Sequence, residues 1–339
     1  MSNLEVSPPE LDGVAERPGD AELIVPREVP LGGPRAMTVH RTLPGKERSF
    51  VGAWCFVDHY GPDDVARSGG MQVPGHPHTG LQTVSWLFDG VIEHRDTTGA
   101  HAMRPGEVNL MTAGAGIAHS EFSTADTTTL HGVQLWVALP DAARFTAAGF
   151  EHFVPQPVSV DGAVVLVFVG ELAGQRSPVT TYTPLLGAEL RLPPDSALRL
   201  PVNRGFEHGL LVDSGTVTAN GTVIANGTVI ANGSTAARGE LLVQPAGRPE
   251  LLLRSGSEPA RVLLLGGEPF TEEIVMWWNF IGRSHDGVVE FRREWQDAHH
   301  DPTTVGRFGR FPDAGETTLP APDMPTSRLR SRRNRRADS

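Results

Sequence analysis

The chain has 339 residues, a formal charge of −11 and one cysteine, Cys55. That length suggests about two domains with ample capacity for buried cores, and a lone cysteine excludes an intramolecular disulfide and a cysteine-based zinc site, which suits a reducing, cytoplasmic setting. No stretch approaches the roughly eighteen continuous apolar residues that a membrane-spanning helix needs.

Residues 1–21 are acidic and proline-containing, without the basic start and apolar segment of a signal peptide, and read as a flexible leader. After the glycines at 32–33, Met37 to Leu43 starts a strand, and Phe50 to Tyr60 offers another that ends at the Gly61-Pro62-Asp63-Asp64 turn. Cys55 lies in this apolar run and reads as a small buried hydrophobe. Two pairs of metal-type side chains follow, His76 with His78 and His119 with Glu121. Strand side chains alternate faces, so residues two apart point the same way. Each pair therefore aims two donors at one side of a sheet, and a sheet curled into a barrel would bring the four together. Between the pairs, Thr83 to Phe88 forms a β-favouring run stopped by Asp89-Gly90, Val91 to Arg95 alternates, and Arg104-Pro105-Gly106-Glu107 turns the chain again. The glycines of Thr112-Ala113-Gly114-Ala115-Gly116 allow close backbone packing beside the site. His94 sits in a charged run and His101 in a loop, so both are expected at the surface or behind the ligands. Leu130 to Leu139 can close the barrel, and Pro140-Asp141 marks its exit.

The wording GHPHTGLQTVSWL, followed by MTAGAGIAHSE, resembles the cupin double motif and in particular the pirin family. WCFVDHYGP at 54–62 and LHGVQLWVALP at 130–140 extend the resemblance to most of residues 30–300. It implies an all-β bicupin of two jelly-roll-like antiparallel barrels with a C-terminal helix, the metal being held in the first barrel by His76, His78, His119 and Glu121. It also places Asp58 and His59 next to that barrel. The general cupin pattern has a glutamate four residues after the second histidine of the first pair, where this chain has Gln82. Alternation from His78 points Gln82 inward, where an amide can orient a water or a substrate but cannot act as a carboxylate base.

Residues 22–140 are thus expected to form the metal-binding barrel and 141–312 a second barrel plus the helix, with 141–157 as a linker. The second half is β-rich, but its Glu207-His208 is isolated and no paired ligands recur. The hexapeptides at 216–233, TVTANG-TVIANG-TVIANG, each carry an Asn-Gly turn and read as a hairpin tip lengthened by duplication. A helix capped by Ser284 or Asp286 and running through Asp297 carries Val288, Phe291 and Trp295 at helical spacing. Residues 313–339 read as a disordered, arginine-rich tail with a weak pull on nucleic acid or acidic partners.

The resemblance implies a mononuclear non-haem iron dioxygenase of the quercetin 2,3-dioxygenase type, acting on oxygen and a flavonol-like molecule. The alternative is an iron-dependent regulator that binds transcription or metabolic proteins without turnover, and a weaker third is zinc in a hydrolase or isomerase. Three imidazoles and a carboxylate suit Fe2+, and also Mn2+, Co2+, Ni2+, Cu2+ or Zn2+. Four protein donors leave up to two positions of an octahedral ion open, and three neutral histidines, a carboxylate and a divalent ion sum to about +1, which favours an anionic ligand.

Overall fold

The computed structural model describes residues 21–31, 37–219, 222–224, 228–230, 234–300, 306–310 and 318–334. Two sandwiches of seven and four strands, each rolled into a barrel, make up the chain. In the first, the large sheet runs in spatial order Gly149–Phe153, Val108–Thr112, Leu81–Asp89, Thr129–Ala138, Trp54–Asp64, Met37–Leu43 and Arg27–Leu31. Its small sheet is Gln72–His78, Ile117–Ser123, Ile92–Asp96 and Gly99–Met103. The second barrel repeats the plan with a large sheet from Glu22–Ile24 to Val158–Val160 and a four-stranded partner. All pairings between neighbouring strands are antiparallel, as in a double cupin.

Alternation along the strands sorts their apolar residues into separate cores. Val57, Val84, Trp86, Val133, Leu135 and Val137 point out of the first barrel and meet Phe168, Leu211, Leu263 and Leu265 from the second, so the two large sheets pack face to face. Trp86 stacks on Phe168 at 4.7 Å, and its indole donates to Glu189 Oε2 at 2.7 Å across the seam. The opposite faces fill the barrels themselves: Phe56, Leu81, Met111, Ile117 and Trp136 in the first, and a leucine- and valine-rich set in the second.

Three of the expected boundaries are corrected. Glu22–Ile24 pairs with Leu241–Gln244 in the second barrel's sheet, so residues 22–140 are not one unit. Ile24 belongs to the core between the sheets, and Arg48 ties Glu22 at 2.5 Å to Glu207 at 3.0 Å. Residues 141–157 are not a plain linker, because Gly149–Phe153 adds an edge strand to the first barrel. Phe150 supplies the reason: it stacks on His101 at 3.9 Å and packs 4.9 Å from His94.

The tail is likewise ordered from 318 to 334. Leu319 N–H donates to Gly75 O at 2.7 Å, Trp295 Nε1 donates to Leu319 O at 2.8 Å, and Arg332 exchanges two backbone hydrogen bonds with Ile274. Asn334 Oδ1 then accepts from the amides of Ser49 and Phe50. Prolines remove amide donors but not acceptors, so an extended, proline-containing strap can still be fixed by its remaining groups. Residues 1–20, 313–317 and 335–339, which complete the leader and the tail, lie outside the described residues.

The helix runs His285–His300 with Gly287 N–H capped by Ser284 Oγ, and Val288, Phe291 and Trp295 lie buried in a core with Trp277, Phe280 and Phe308. At the repeats, Thr222–Ile224 pairs with Thr228–Ile230 and Val217–Ala219 with Ser234–Ala236, the nested arrangement of a lengthened hairpin; the intervening Asn-Gly turns lie outside the described residues. Among the described residues no helix is long and apolar enough to cross a membrane.

Candidate metal centre

Gln72–His78 and Ile117–Ser123 are neighbours in the small sheet, with His119 directly opposite His76. His76 and His78 share a face by alternation, and so the pairing brings three imidazoles together. Their ring centroids are 4.3 to 5.0 Å apart, and one donor nitrogen of each lies within 4.8 Å of the others. All three rings are fully buried. Glu121 follows a register shift in its strand and is buried too. Its carboxylate groups with His119 and His94, in a cluster that overlaps the first through His119.

The second nitrogen of each ring determines what the first can do. His76 Nδ1 donates to Pro74 O at 2.9 Å, and His78 Nδ1 donates to Asn279 O at 3.1 Å. A carbonyl only accepts, so both protons sit on Nδ1 and both Nε2 atoms keep their lone pairs. For His119 the argument takes one more step. Asp96 Oδ2 accepts from His94 Nε2 at 2.8 Å, which in the neutral tautomer puts the lone pair of His94 on Nδ1. That lone pair, 3.2 Å from His119 Nδ1, accepts its proton and frees His119 Nε2.

Asn279 stands in the two-residue turn Trp278-Asn279 between Val275–Trp277 and Phe280–Gly282, and Trp278 holds a left-handed φ of 52° to make it. A segment that follows the second barrel in sequence thus orients a histidine of the first.

Burial, above all, pushes the pKa values of His76, His78 and His119 well below the ordinary histidine value, so the rings are neutral at pH 7. Asp96 moves the other way from its burial, because hydrogen bonds from His94 and Thr98 outweigh it and keep the carboxylate ionised. The three Nε2 atoms and Glu121 Oε2 have no hydrogen-bond partner. Four buried donor atoms left unsatisfied cost several kcal/mol, on the order of 1–3 each, unless something binds them. A divalent cation fits that donor set, since it takes neutral imidazole nitrogen and carboxylate oxygen.

Of the two places expected for His94, the structure puts it behind the ligands: it is buried and carries the orienting bond to His119. Only its position inside an alternating strand, with Asp96 two residues on, signalled this in the sequence. Gln82 does not face the candidate centre. Gly80, at φ 68°, turns the chain between the two strands, and a side chain there would meet Ile281 O at 2.3 Å, so alternation from His78 does not carry through. Gln82 shares the outward face of Val84 and Trp86, and its amide donates to Thr112 Oγ1 at 2.9 Å and Thr180 O at 3.0 Å. Asp58 is held by Arg41 through bonds of 2.6 and 2.8 Å, and His59 turns into the seam between the barrels. Cys55 is buried, and burial pushes its thiol pKa up, so it is inert packing.

Two face-to-face cupin barrels with a buried histidine cluster in the first define a bicupin. Residues 36–137 match the Pirin family model and 187–301 the model for the Pirin C-terminal cupin domain. The chain belongs to the pirin family. It is 38% identical to a Pseudomonas aeruginosa protein provisionally named quercetin 2,3-dioxygenase, over 89% of this chain and 90% of that protein. Human pirin is 36% identical over 44% of this chain and 53% of its own length. Among solved structures, a quercetin 2,3-dioxygenase from Acinetobacter baumannii superposes with a TM-score of 0.79 at 36% identity, covering 92% of this chain and 97% of that one.

Proposed function

We propose that the protein is a mononuclear iron(II) dioxygenase of the quercetin 2,3-dioxygenase class, taking a flavonol-like molecule and oxygen. The convergence of three buried, neutral imidazoles with free Nε2 lone pairs, beside a Glu121 whose Oε2 has no partner, carries this reading. The names of its relatives in Pseudomonas and Acinetobacter support the substrate class. His76, His78 and His119 would hold the ion through Nε2, and Glu121 through Oε2. When bound, iron supplies a site for oxygen and for an anionic oxygen of the substrate.

The protein's own groups do the rest. Pro74 O, Asn279 O and His94 Nδ1 hold the three rings in the tautomer that presents Nε2. Trp136, stacked on Phe56 at 4.1 Å and edge-on to His78 at 5.1 Å, gives the centre an aromatic, water-excluding wall. Asp58 is bound to Arg41 and Asp96 to His94, whereas Glu121 Oε2 is left without a hydrogen-bond partner beside the rings.

The test is metal analysis of protein purified without added metal, paired with oxygen uptake on quercetin. Iron near one equivalent with stoichiometric uptake is expected, both lost in His119→Ala. Iron-loaded protein that consumes no oxygen with any flavonol overturns the reading, and a different resident metal, such as manganese, nickel or zinc, replaces the iron.

A further inference from the structure

A second group of donor atoms converges in the seam between the barrels, apart from the histidines inside the first. His59 lies in Trp54–Asp64 and His131 in the adjacent Thr129–Ala138, with Asp213 in Glu207–Ser214 of the second barrel. His59 shares its face with Val57, His131 with Val133, and Asp213 with Leu211. Those three apolar residues all lie in the core between the sheets, so alternation sends the polar side chains into the same seam. His59 Nε2 lies 2.8 Å and His131 Nε2 2.6 Å from one carboxylate oxygen, Asp213 Oδ1. The three donors are all within 4.8 Å of one another.

Hydrogen bonding leaves this cluster incomplete. His59 Nδ1 is buried with no hydrogen-bond partner, and Asp213 Oδ2 has only the Arg261 guanidinium, 3.5 Å away, among the described residues. Arg261 also lies 4.7 Å over the Phe88 ring, which packs edge-on against His131 at 4.9 Å, so the approach of the second imidazole is buttressed. His59 and Asp213 are 1% exposed, whereas His131 keeps 12% of its side chain open, which leaves one side of the cluster within reach of water.

We infer that His59 Nε2, His131 Nε2 and the Asp213 carboxylate form a second divalent-cation site, of the kind zinc occupies, that clamps the two barrels together. Two imidazoles, one carboxylate and a water are a donor set that zinc takes, with bonds of about 2.0–2.2 Å. Tetrahedral bonds of that length put neighbouring donors about 3.3–3.6 Å apart, so the cation would part the present 2.6 and 2.8 Å contacts by roughly 0.5–1 Å. Burial lowers the pKa of His59 despite the opposing pull of Asp213, so the ring offers the neutral form that a metal requires. The donors come from both barrels, so a bound cation would stabilise their association in proportion to its affinity.

Full-length protein, stripped with a chelator, is titrated with Zn2+ and, for its absorption bands, with Co2+. Wild type is expected to take up one equivalent more than either His131→Gln or Asp213→Asn, and its thermal midpoint should rise on saturating this extra equivalent. The first-barrel equivalent should be unchanged in both variants, which reports that they are folded. Equal metal uptake by wild type and both variants would overturn the proposal and leave the cluster a hydrogen-bonded contact only.

Discussion

His94 sits directly behind His119, the two Nδ1 atoms 3.2 Å apart, and its other nitrogen is closed by Asp96. The candidate metal nitrogen of His119 is therefore set by a residue that does not itself complete the three-histidine cluster. Partners of this kind typically change metal affinity by about 10–100-fold. His94→Phe, which removes the acceptor, should weaken metal binding by a factor in that range in competition with a chromophoric chelator. Asp96→Asn should cost much less, because an amide oxygen can still accept from His94 Nε2. Equal losses in the two variants would contradict the relay.

The strap from 318 to 334 predicts a cost on truncation. Removing it deletes the Leu319 N–H bond to Gly75 O, beside His76, and both backbone bonds between Arg332 and Ile274. It also uncovers the apolar core that contains Ala321 and is packed by Met324 and Leu329. At about 1 kcal/mol per hydrogen bond these three backbone bonds alone come to about 3 kcal/mol. Protein ending at residue 317 should melt at lower temperature and release its metal to a chelator faster than the full chain. An unchanged release rate would mean that the strap does not brace the centre.

His208 predicts acid sensitivity in the second barrel. It points into that barrel's interior on the same face as Leu210 and Val212, both its nitrogens lack partners, and burial lowers its pKa to about 4. A depressed histidine pKa means that the unfolded chain holds the proton first. Stability is therefore undiminished above pH 6.5 and falls as the pH drops from there towards 4. The drop is on the order of 3 kcal/mol at 1.36 kcal/mol per pKa unit. His208→Leu should flatten the stability profile between pH 6.5 and 4 in urea denaturation, while leaving the profile above pH 7 parallel to that of wild type.

The sequence made the first barrel and its candidate donors legible because period-two alternation is a local property. Within one strand it placed His76 with His78 and His119 with Glu121, and the helix stripe Val288, Phe291 and Trp295 was readable for the same reason. What it could not carry was anything decided across a turn or between distant segments. Gly80 interrupts the alternation between His78 and Gln82, and nothing in a glycine announces how far the next strand is rotated. Glu22–Ile24 pairs with a strand more than 200 residues away. The cluster of His59, His131 and Asp213 is equally non-local, and no two of its members share a strand. The tail failed for another reason: its composition is that of disordered chain, but its order comes from backbone groups that composition does not count.

The rotation at Gly80 gives the sharpest prediction. Gln82→Glu, if the residue faced the histidines, would restore an inward carboxylate and could raise any turnover that needs a base. In the structure the side chain lies in the seam between the barrels, where its amide donates to Thr112 Oγ1 and Thr180 O. An ionised glutamate has no proton for either bond and would set its charge against the Thr180 carbonyl. Leaving buried partners unsatisfied costs about 1–3 kcal/mol, and more where a charge is involved. Gln82→Glu should therefore lower stability in urea denaturation by about 2–4 kcal/mol, with metal content and oxygen uptake unchanged under conditions where both proteins are folded. Gln82→Met, which gives up both bonds without adding charge, should lose less. Higher turnover in Gln82→Glu with undiminished stability would place residue 82 on the inner face after all.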